Sequence, residues 1–558
     1  MKKQLLLASL LIGSTVTFAQ TFEWAKSLGG ISSDNITSIT VDASGNVYTT
    51  GKFDGTADFD PGAGTFTLTS VGTSDIFVCK LDVNGNFVWA KQIGGTYNEV
   101  ANTIKVDALG NVFLAGSFSD PVDFDPGAGT FILNSPSGFD IFVSKWNTNG
   151  DFIWVKQMGG VGNQNGIDMT MDATGNIYTT GYFGGTSDFD PGVSTFTLSA
   201  IGTNDIYISK LDANGDFVWA KSIGSAATTN LNSTRIALDA SGNVYTSGYF
   251  NGTLDFDPGV STYILTSFGS VDVFVSNLDA NGNFIWAKQI GGPGTDASTG
   301  MTTDASGNIY ITGEHSGTMD FDPGAATYTL NPTGTYDIFV SKLDASGNFV
   351  FAKSFGGTGY TESADITLDA TGNIYTTGYF DGTIDFDPGV GTTSLSPLGT
   401  YDAFISKLDA TGNFVWAKSI GSTAASALGS RVTIDASDNI YASGAYSSTI
   451  DFDPNAGVFN LTAQGNNDVF VLKLSPSPVG IAETNHELRA MLYPNPTSTL
   501  LSIKTDEEIK EISIYNSIGV LVQKEKTNTF SVEQLASGLY FLTIKTSTGT
   551  SSARFIKQ

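Results

Sequence analysis

Asp58-Phe59-Asp60-Pro61-Gly62 is the stretch on which the fold turns, because it comes back six more times. The same five residues begin at Asp123, Asp188, Asp255, Asp320 and Asp385, and Asp451 opens the variant Asp-Phe-Asp-Pro-Asn. The prolines stand at 61, 126, 191, 258, 323, 388 and 454, a period of 65 to 67 residues. A repeat of that length is one supersecondary unit stacked many times. Around the first copy the chain reads as four runs rich in Val, Ile, Phe and Tyr, at 36–42, 47–53, 75–82 and 87–93. Ala43-Ser-Gly-Asn46 joins the first two and Val83-Asn-Gly-Asn86 the last two. Such Gly-Asn joints predict a four-stranded antiparallel meander. Both faces of the inner runs are apolar, as expected when neighbouring sheets cover each one. Seven such sheets arranged radially make a propeller.

The ends of the array predict closure. The fourth run, Phe-x-Trp-Ala-Lys, carries Trp89, Trp154, Trp219, Trp286, Phe351 and Trp416, but the seventh copy stops after Asp468-Val-Phe-Val-Leu-Lys-Leu474. The absent piece stands at the other end as Phe22-Glu-Trp-Ala-Lys26. The expected fold is therefore all-β, a seven-bladed β-propeller over 20–475 closed by its N-terminal strand. Closure removes exposed sheet edges.

Residues 1–19 read as a signal peptide, with Met1-Lys2-Lys3, the apolar run Leu5–Ile12 and cleavage after Ala19. That run is too short to span a membrane, and no later stretch reaches about 18 apolar residues. A net charge of −28 disfavours nucleic acid and anionic membrane surfaces, leaving cations, basic proteins or neutral glycans as partners, or plain solubility. Cys79 is the sole cysteine, so no intrachain disulfide is expected; it reads as a buried small hydrophobe.

Residues 476–489, opening on Pro476-Ser-Pro478, read as a linker, and 490–558 as a small Ig-like β-sandwich of short alternating runs. Within it stand Tyr493-Pro-Asn-Pro-Thr497, Ile512-Ser-Ile-Tyr-Asn516, Gly519, Leu535-Ala-Ser-Gly-Leu-Tyr540 and Arg554-Phe-Ile-Lys557. In that order these resemble the type A C-terminal sorting domain of type IX secretion. The resemblance implies passage across a Gram-negative outer membrane by the type IX machinery. It further implies removal of the domain by a sortase-like protease, then release or attachment to surface lipopolysaccharide. The Asp-x-x-Gly-Asn-x-Tyr-x-x-Gly pattern likewise resembles the bacterial β-propeller repeat (SBBP-like) of exported proteins. That family implies a fold and no single activity.

For chemistry, the seven inserts offer paired carboxylates: Asp58 with Asp60, Asp123 with Asp125, Asp188 with Asp190, Asp255 with Asp257, Asp320 with Asp322, Asp385 with Asp387, and Asp451 with Asp453. Two readings stand. The pairs are oxygen ligands for Ca²⁺, or the second Asp caps a turn while the Phe anchors the loop. Second-to-third loops and links between copies, which vary most, are expected on one face of the disc together with the inserts, and binding is expected there. The Asp opening each third run, from Asp75 to Asp468, reads as a structural acceptor, and the fourth-run Trp as packing between sheets. Of the two histidines, His486 is in the linker, and His315 with Glu314 reads as a surface substitution in copy five. Zinc chemistry lacks clustered His or Cys. The expected function is a secreted or cell-surface, non-catalytic binding, adhesion or scaffold module. A secreted carbohydrate-active enzyme using the insert carboxylates is the alternative.

Overall fold

The computed structural model describes residues 20–135, 137–226, 231–476, 491–505, 508–516, 521–546 and 550–558. The signal segment 1–19 and all of the linker except Pro476 lie outside them. The described residues form strands and no α-helix, and the chain divides into two compact units between Pro476 and Ser477.

In the first unit the strands of copy one are Asn35–Val41, Val47–Phe53, Asp75–Leu81 and Phe87–Gly95, paired antiparallel in that order. The next five copies repeat this order. In copy seven the fourth position is taken by Gln20–Gly30, antiparallel to Asp468–Pro476, with Gln20 opposite Pro476 and Leu28 opposite Val469. The turn chemistry follows from the sequence. Asp42 Oδ1 accepts the N–H of Ser44 and of Asn46, and Oδ2 accepts Asn46 Nδ2 and the Tyr48 hydroxyl. Gly45 stands at φ +79°, which a side chain would resist.

The cores lie between successive sheets, where strand residues such as Phe77, Val78 and Leu81 are fully buried. Each fourth-strand Trp packs on the second-strand aromatic of its own copy, Trp89 on Tyr48 at 6.2 Å. The indole N–H of Trp89 reaches the next copy, donating to the Thr148 carbonyl at 3.2 Å, and that of Trp219 reaches the Ala280 carbonyl. Trp24 does the same from the N-terminal strand, packing on Tyr441 and donating to Val83. The Asp opening the third strand accepts loop N–H groups in copies one and three to seven, Asp75 from Val71 and Gly72. It also explains the glycine at the end of the fourth strand. A Cβ on Gly29, Gly94, Gly159, Gly224, Gly291, Gly356 or Gly421 would lie 1.8–2.7 Å from that aspartate.

Three seams add a second buried acid. Burial pushes Asp34 up to about 7, with Asp468 and Asp54 adding repulsion. It pushes Glu99 up to about 8 beside Asp75 and Asp120, and Asp296 up to about 7 beside Asp272. The turn aspartates go the other way: burial would raise Asp42, but its hydrogen bonds outweigh burial and hold it below the ordinary value. Acids raised in the folded state bind protons that the unfolded chain has lost, so stability falls as pH rises from about 4 toward 7–8. Lowered turn aspartates lose stability below about 4. Calorimetric Tm is expected to peak in mild acid and be lower at pH 8 than at pH 5, with Glu99→Gln flattening the alkaline limb. An unchanged slope in that variant would remove Glu99 from the account.

The second unit packs two sheets. One pairs Met491–Tyr493, Leu500–Lys504 and Thr529–Ser531; the other orders Leu521–Glu525, Ile509–Asn516, Gly538–Thr546 and Thr550–Lys557. Leu501, Ile503, Ile512, Ile514, Leu542, Ile544 and Phe555 form its core. Asn495 clamps the last strand through the Arg554 carbonyl and the Ile556 N–H.

Candidate functional site

The inserts take a different place from the one expected. Each forms a short ribbon, Thr56–Asp58 with Thr67–Thr69 in copy one. It pairs with the end of the preceding fourth strand, Asp58 opposite Gly29 and Ala57 opposite Gly30. Copies two, three and six repeat this at Gly94, Gly159 and Gly356, and isolated bridges from Gly224, Gly291 and Gly421 mark the other three. The carboxylates therefore lie beside the fourth strands at the seams, not among the links. The reason is alternation. Phe59 points inward against Phe53 and Phe77, at 5.4 and 4.9 Å, and is almost fully buried, which draws the extended segment onto the sheet edge.

Within each insert the two carboxylates serve the turn. Asp58 Oδ1 accepts the N–H of Asp60 and of Phe66, and Asp60 Oδ1 that of Gly62 at 2.8 Å. In copies two and three, Asp123 accepts from Asp125 and Phe131 while Asp125 accepts from Gly127, and Asp188 accepts from Asp190 and Phe196 while Asp190 accepts from Gly192. In copies four and five, Asp255 accepts from Asp257 and Tyr263 while Asp257 accepts from Gly259, and Asp320 accepts from Asp322 and Tyr328 while Asp322 accepts from Gly324. In copies six and seven, Asp385 accepts from Asp387 and Thr393 while Asp387 accepts from Gly389, and Asp451 accepts from Asp453 and Phe459 while Asp453 accepts from Asn455.

Asp58, Asp60, Asp123, Asp125, Asp188, Asp190, Asp255, Asp257, Asp320, Asp322, Asp385, Asp387, Asp451 and Asp453 stay as seven separate pairs, one to a ribbon. Among the described residues no three His, Cys, Asp or Glu side chains converge as a metal-holding group. One oxygen of every pair member is engaged by backbone N–H groups of its own insert.

His315 also calls for a correction. It is fully buried, not a surface substitution. It replaces the aromatic that ends the second strand in other copies (Phe53, Phe118, Phe183, Phe250, Phe380, Tyr446) and packs edge-on to Phe321. Its ring nitrogens meet the Gly317 carbonyl at 3.2 Å and Ser354 Oγ at 2.8 Å. Cys79 is buried, and burial raises its thiol far above the ordinary value.

The departures from repetition collect one residue earlier. The position before that aromatic is Lys52, Ser117, Tyr182, Tyr249, Glu314, Tyr379 and Ala445 in turn. Its first-strand partner is Asn165 in copy three, Asn232 in copy four and Glu362 in copy six. These residues stand where the links enter, on the face opposite the Gly-Asn turns. Asn165 Nδ2 donates to the Tyr182 hydroxyl at 2.7 Å and Asn232 Nδ2 to that of Tyr249 at 3.3 Å. Glu362 Oε2 accepts the hydroxyls of Tyr360, at 2.9 Å, and of Tyr379. Tyr336, Tyr360, Tyr379 and Tyr401 form a chain of rings with centroids 5.4–6.3 Å apart. All four are only partly buried. Burial and the charge of Glu362 push Glu314 up to about 8. The result is a polar, aromatic arc across copies three to six that can stack on a flat apolar face and hydrogen-bond hydroxyls.

Below the arc, the first strands of all seven copies line a cavity of about 260 Å³. Each of these strands carries a β-bulge, between Ile36 and Ser38 in copy one. The residue after the bulge is Ser38, Thr103, Asp168, Arg235, Gly300, Asp365 and Arg431 in turn. Neither the arc nor these charges stands out from motif or composition. Comparing the seven copies position by position is the signal that finds them.

Residues 491–558 match the family described as secretion system C-terminal sorting domain, and residues 23–59 and 285–314 match the β-propeller repeat. The chain thus carries β-propeller repeats and a type IX sorting domain, which places it in the secreted or outer-surface class and in contact with the type IX secretion system. Among the described residues no helix is long and apolar enough to cross a membrane. The chain is similar to an uncharacterized WD repeat-containing protein, L264, of Acanthamoeba polyphaga mimivirus. Identity there is 25% over 474 residues, covering 71% of this chain and 34% of that protein. It is also similar to the regulatory protein FlaEY of Caulobacter vibrioides, at 24% over 212 residues, 36% of this chain and 21% of the other. The chain spans about a third and a fifth of the length of these two curated relatives. The solved structure of Sqt1 from Chaetomium thermophilum aligns with TM-score 0.37 and 9% identity, over 82% of this chain and all of that one.

Proposed function

We propose that residues 20–475 close as a seven-bladed β-propeller, with Gln20–Gly30 as the outer strand of the last blade, and that this propeller is a non-catalytic extracellular binding module. Three features support closure: the ladder to Asp468–Pro476, the Trp24 contacts with Tyr441 and Val83, and the packing of Asn35–Val41 beside Ser426–Ile434. The observation that carries the function is the tyrosine–glutamate arc. It breaks the repetition on the link-bearing face while the turns and the inserts of each copy stay nearly uniform. Tyrosine rings, a carboxylate already engaged with hydroxyls and two amides suit an uncharged polyhydroxylated ligand, a neutral glycan. The signal segment and sorting domain deliver the module to the cell surface or medium.

The test is an array of neutral oligosaccharides probed with the mature chain, followed by calorimetry on the best ligand. Glu362→Gln and Tyr360→Ala are each expected to weaken binding by about 10- to 100-fold, the effect of removing a central polar or aromatic anchor. An array without a bound glycan, or variants binding like the parent, would end this reading.

One observation favours a second reading. Glu314 holds its proton into the neutral range beside Glu362, and two unlike carboxyls are what glycoside hydrolysis uses. A carbohydrate-active enzyme would release new reducing ends from the array ligand, and Glu314→Gln would abolish that release; binding without release favours the module.

A further inference from the structure

The cavity below the arc has a charge pattern that the fold does not need in full. Asp168 and Asp365 have structural work. Asp168 accepts the Met169 N–H and, across a seam, that of Ile236 at 3.1 Å. Asp365 accepts the Val432 N–H of the next copy at 3.1 Å. Ser38 does the same toward Ile104, so stitching adjacent copies requires no charge at this position.

The cations are less engaged. Arg235 donates to the Thr234 carbonyl at 2.8 Å and reaches past copy five to the Ala364 carbonyl at 3.2 Å and the Asp365 carboxylate at 3.8 Å. It can do so because copy five has Gly300 at the equivalent position, with no side chain in the way. Among the described residues Arg431 makes one hydrogen bond, to the Ser430 carbonyl at 2.9 Å, although a guanidinium carries five N–H donors. Burial and the neighbouring Arg235 push it down to about 10. Lys105, on the same lining, has no hydrogen bond or ion pair with another described residue. Three cations thus face two carboxylates, of which Asp168 has both oxygens and Asp365 one oxygen already accepting backbone N–H groups. These are two of the four arginines in a chain of net charge −28. All three cations are partly buried, and a lining with more cationic donors than carboxylate acceptors favours an added acceptor. Thr40, Thr170 and Thr433 line the same space.

We propose that this cavity binds a small oxyanion, phosphate or sulfate, through Arg431, Lys105 and Arg235. The guanidinium fork of Arg431 offers two parallel N–H donors to such an anion, and Lys105 a point charge. The space equals roughly eight or nine water volumes at about 30 Å³ each, enough for the ion and part of its shell. The negative exterior does not forbid it, since at physiological salt charges more than about 8 Å away are largely screened. This site is separate from the tyrosine–glutamate arc, so either can fail alone.

The experiment titrates sodium phosphate and sodium sulfate into the full mature chain against sodium chloride at equal ionic strength, reading Tm and heat. At a hundredfold excess over Kd, phosphate or sulfate is expected to raise Tm by about 2–4 °C in a saturable way. Lys105→Met and Arg431→Gln are each expected to weaken binding by about tenfold or more. The Lys105 ammonium makes no hydrogen bond or ion pair with another described residue, so its variant decides if Arg431→Gln fails to fold. Glucose 6-phosphate, run in parallel, separates a free ion from a phosphoryl group on a larger ligand. Equal Tm values in all three salts, or a Lys105→Met chain responding like the parent, would overturn the proposal.

Discussion

A chain beginning at Ile31 instead of Gln20 is expected to lose cooperative unfolding, the largest effect foreseen for any single change. Gln20–Gly30 supplies the whole fourth strand of the last sheet, and buries Ala25 and Leu28 at 2% and 1% exposure. It carries the Trp24 bond to copy one, the Ser27 bonds to Asp468 and Tyr446, and the edge to which the first ribbon pairs. At about 1 kcal/mol per ladder bond and about 2 kcal/mol per large buried side chain, its removal costs on the order of 5–10 kcal/mol. That equals the whole stability of many domains. Calorimetry of the truncated chain should show a broad, low transition or none, and a synthetic peptide of residues 20–30 should restore it by strand addition. An unchanged melting profile would dismiss closure, and with it the proposed seven-bladed ring.

The second large effect belongs to the phenylalanine of the insert. Phe256 is fully buried against Phe250 and Phe274, at 5.3 and 5.1 Å. Phe256→Ala is expected to cost about 3–5 kcal/mol, a core cavity that rigid sheets cannot collapse. Asp255→Ala, which frees the N–H groups of Asp257 and Tyr263, is expected to cost about 1–2 kcal/mol. With the carboxylates serving the turn, EDTA should leave Tm where it was. A Tm that falls on chelation and recovers with Ca²⁺ would instead assign the fourteen carboxylates to a cation. Urea denaturation of both variants, with and without EDTA, measures all three outcomes.

Strands and turns are open to reading from sequence because their signals are local. Asp42, Gly45, Asn46 and Tyr48 write their own hairpin, and further copies repeat it. The pairing of Phe22–Lys26 with residues 468–474 is legible for a different reason: one end lacks what the other has spare. The position of the inserts is not legible. Alternation says that Phe59 points in and Asp58 out, but not whose edge the segment will join. The burial of His315 is hidden because Glu314-His315 looks like a pair, although on a strand adjacent residues face opposite ways. One enters the core and the other the mouth. Arg235 and Arg431 are obscured because a β-bulge shifts the period of two just before them, so simple alternation misassigns the residues that face the cavity.

The offset of the ribbons has a consequence for how such an array can grow or shrink. A ribbon leaves one sheet and finds its backbone partner on the sheet before it, so the piece that can be duplicated intact runs from ribbon to ribbon, not from first strand to fourth. Cutting at sheet boundaries would leave a hairpin without a mate on one side and an unsheathed strand end on the other. Recombination that keeps the sequence period also keeps every mate, and the N-terminal strand fits whichever copy comes last. Copy number is thus free to drift by whole periods.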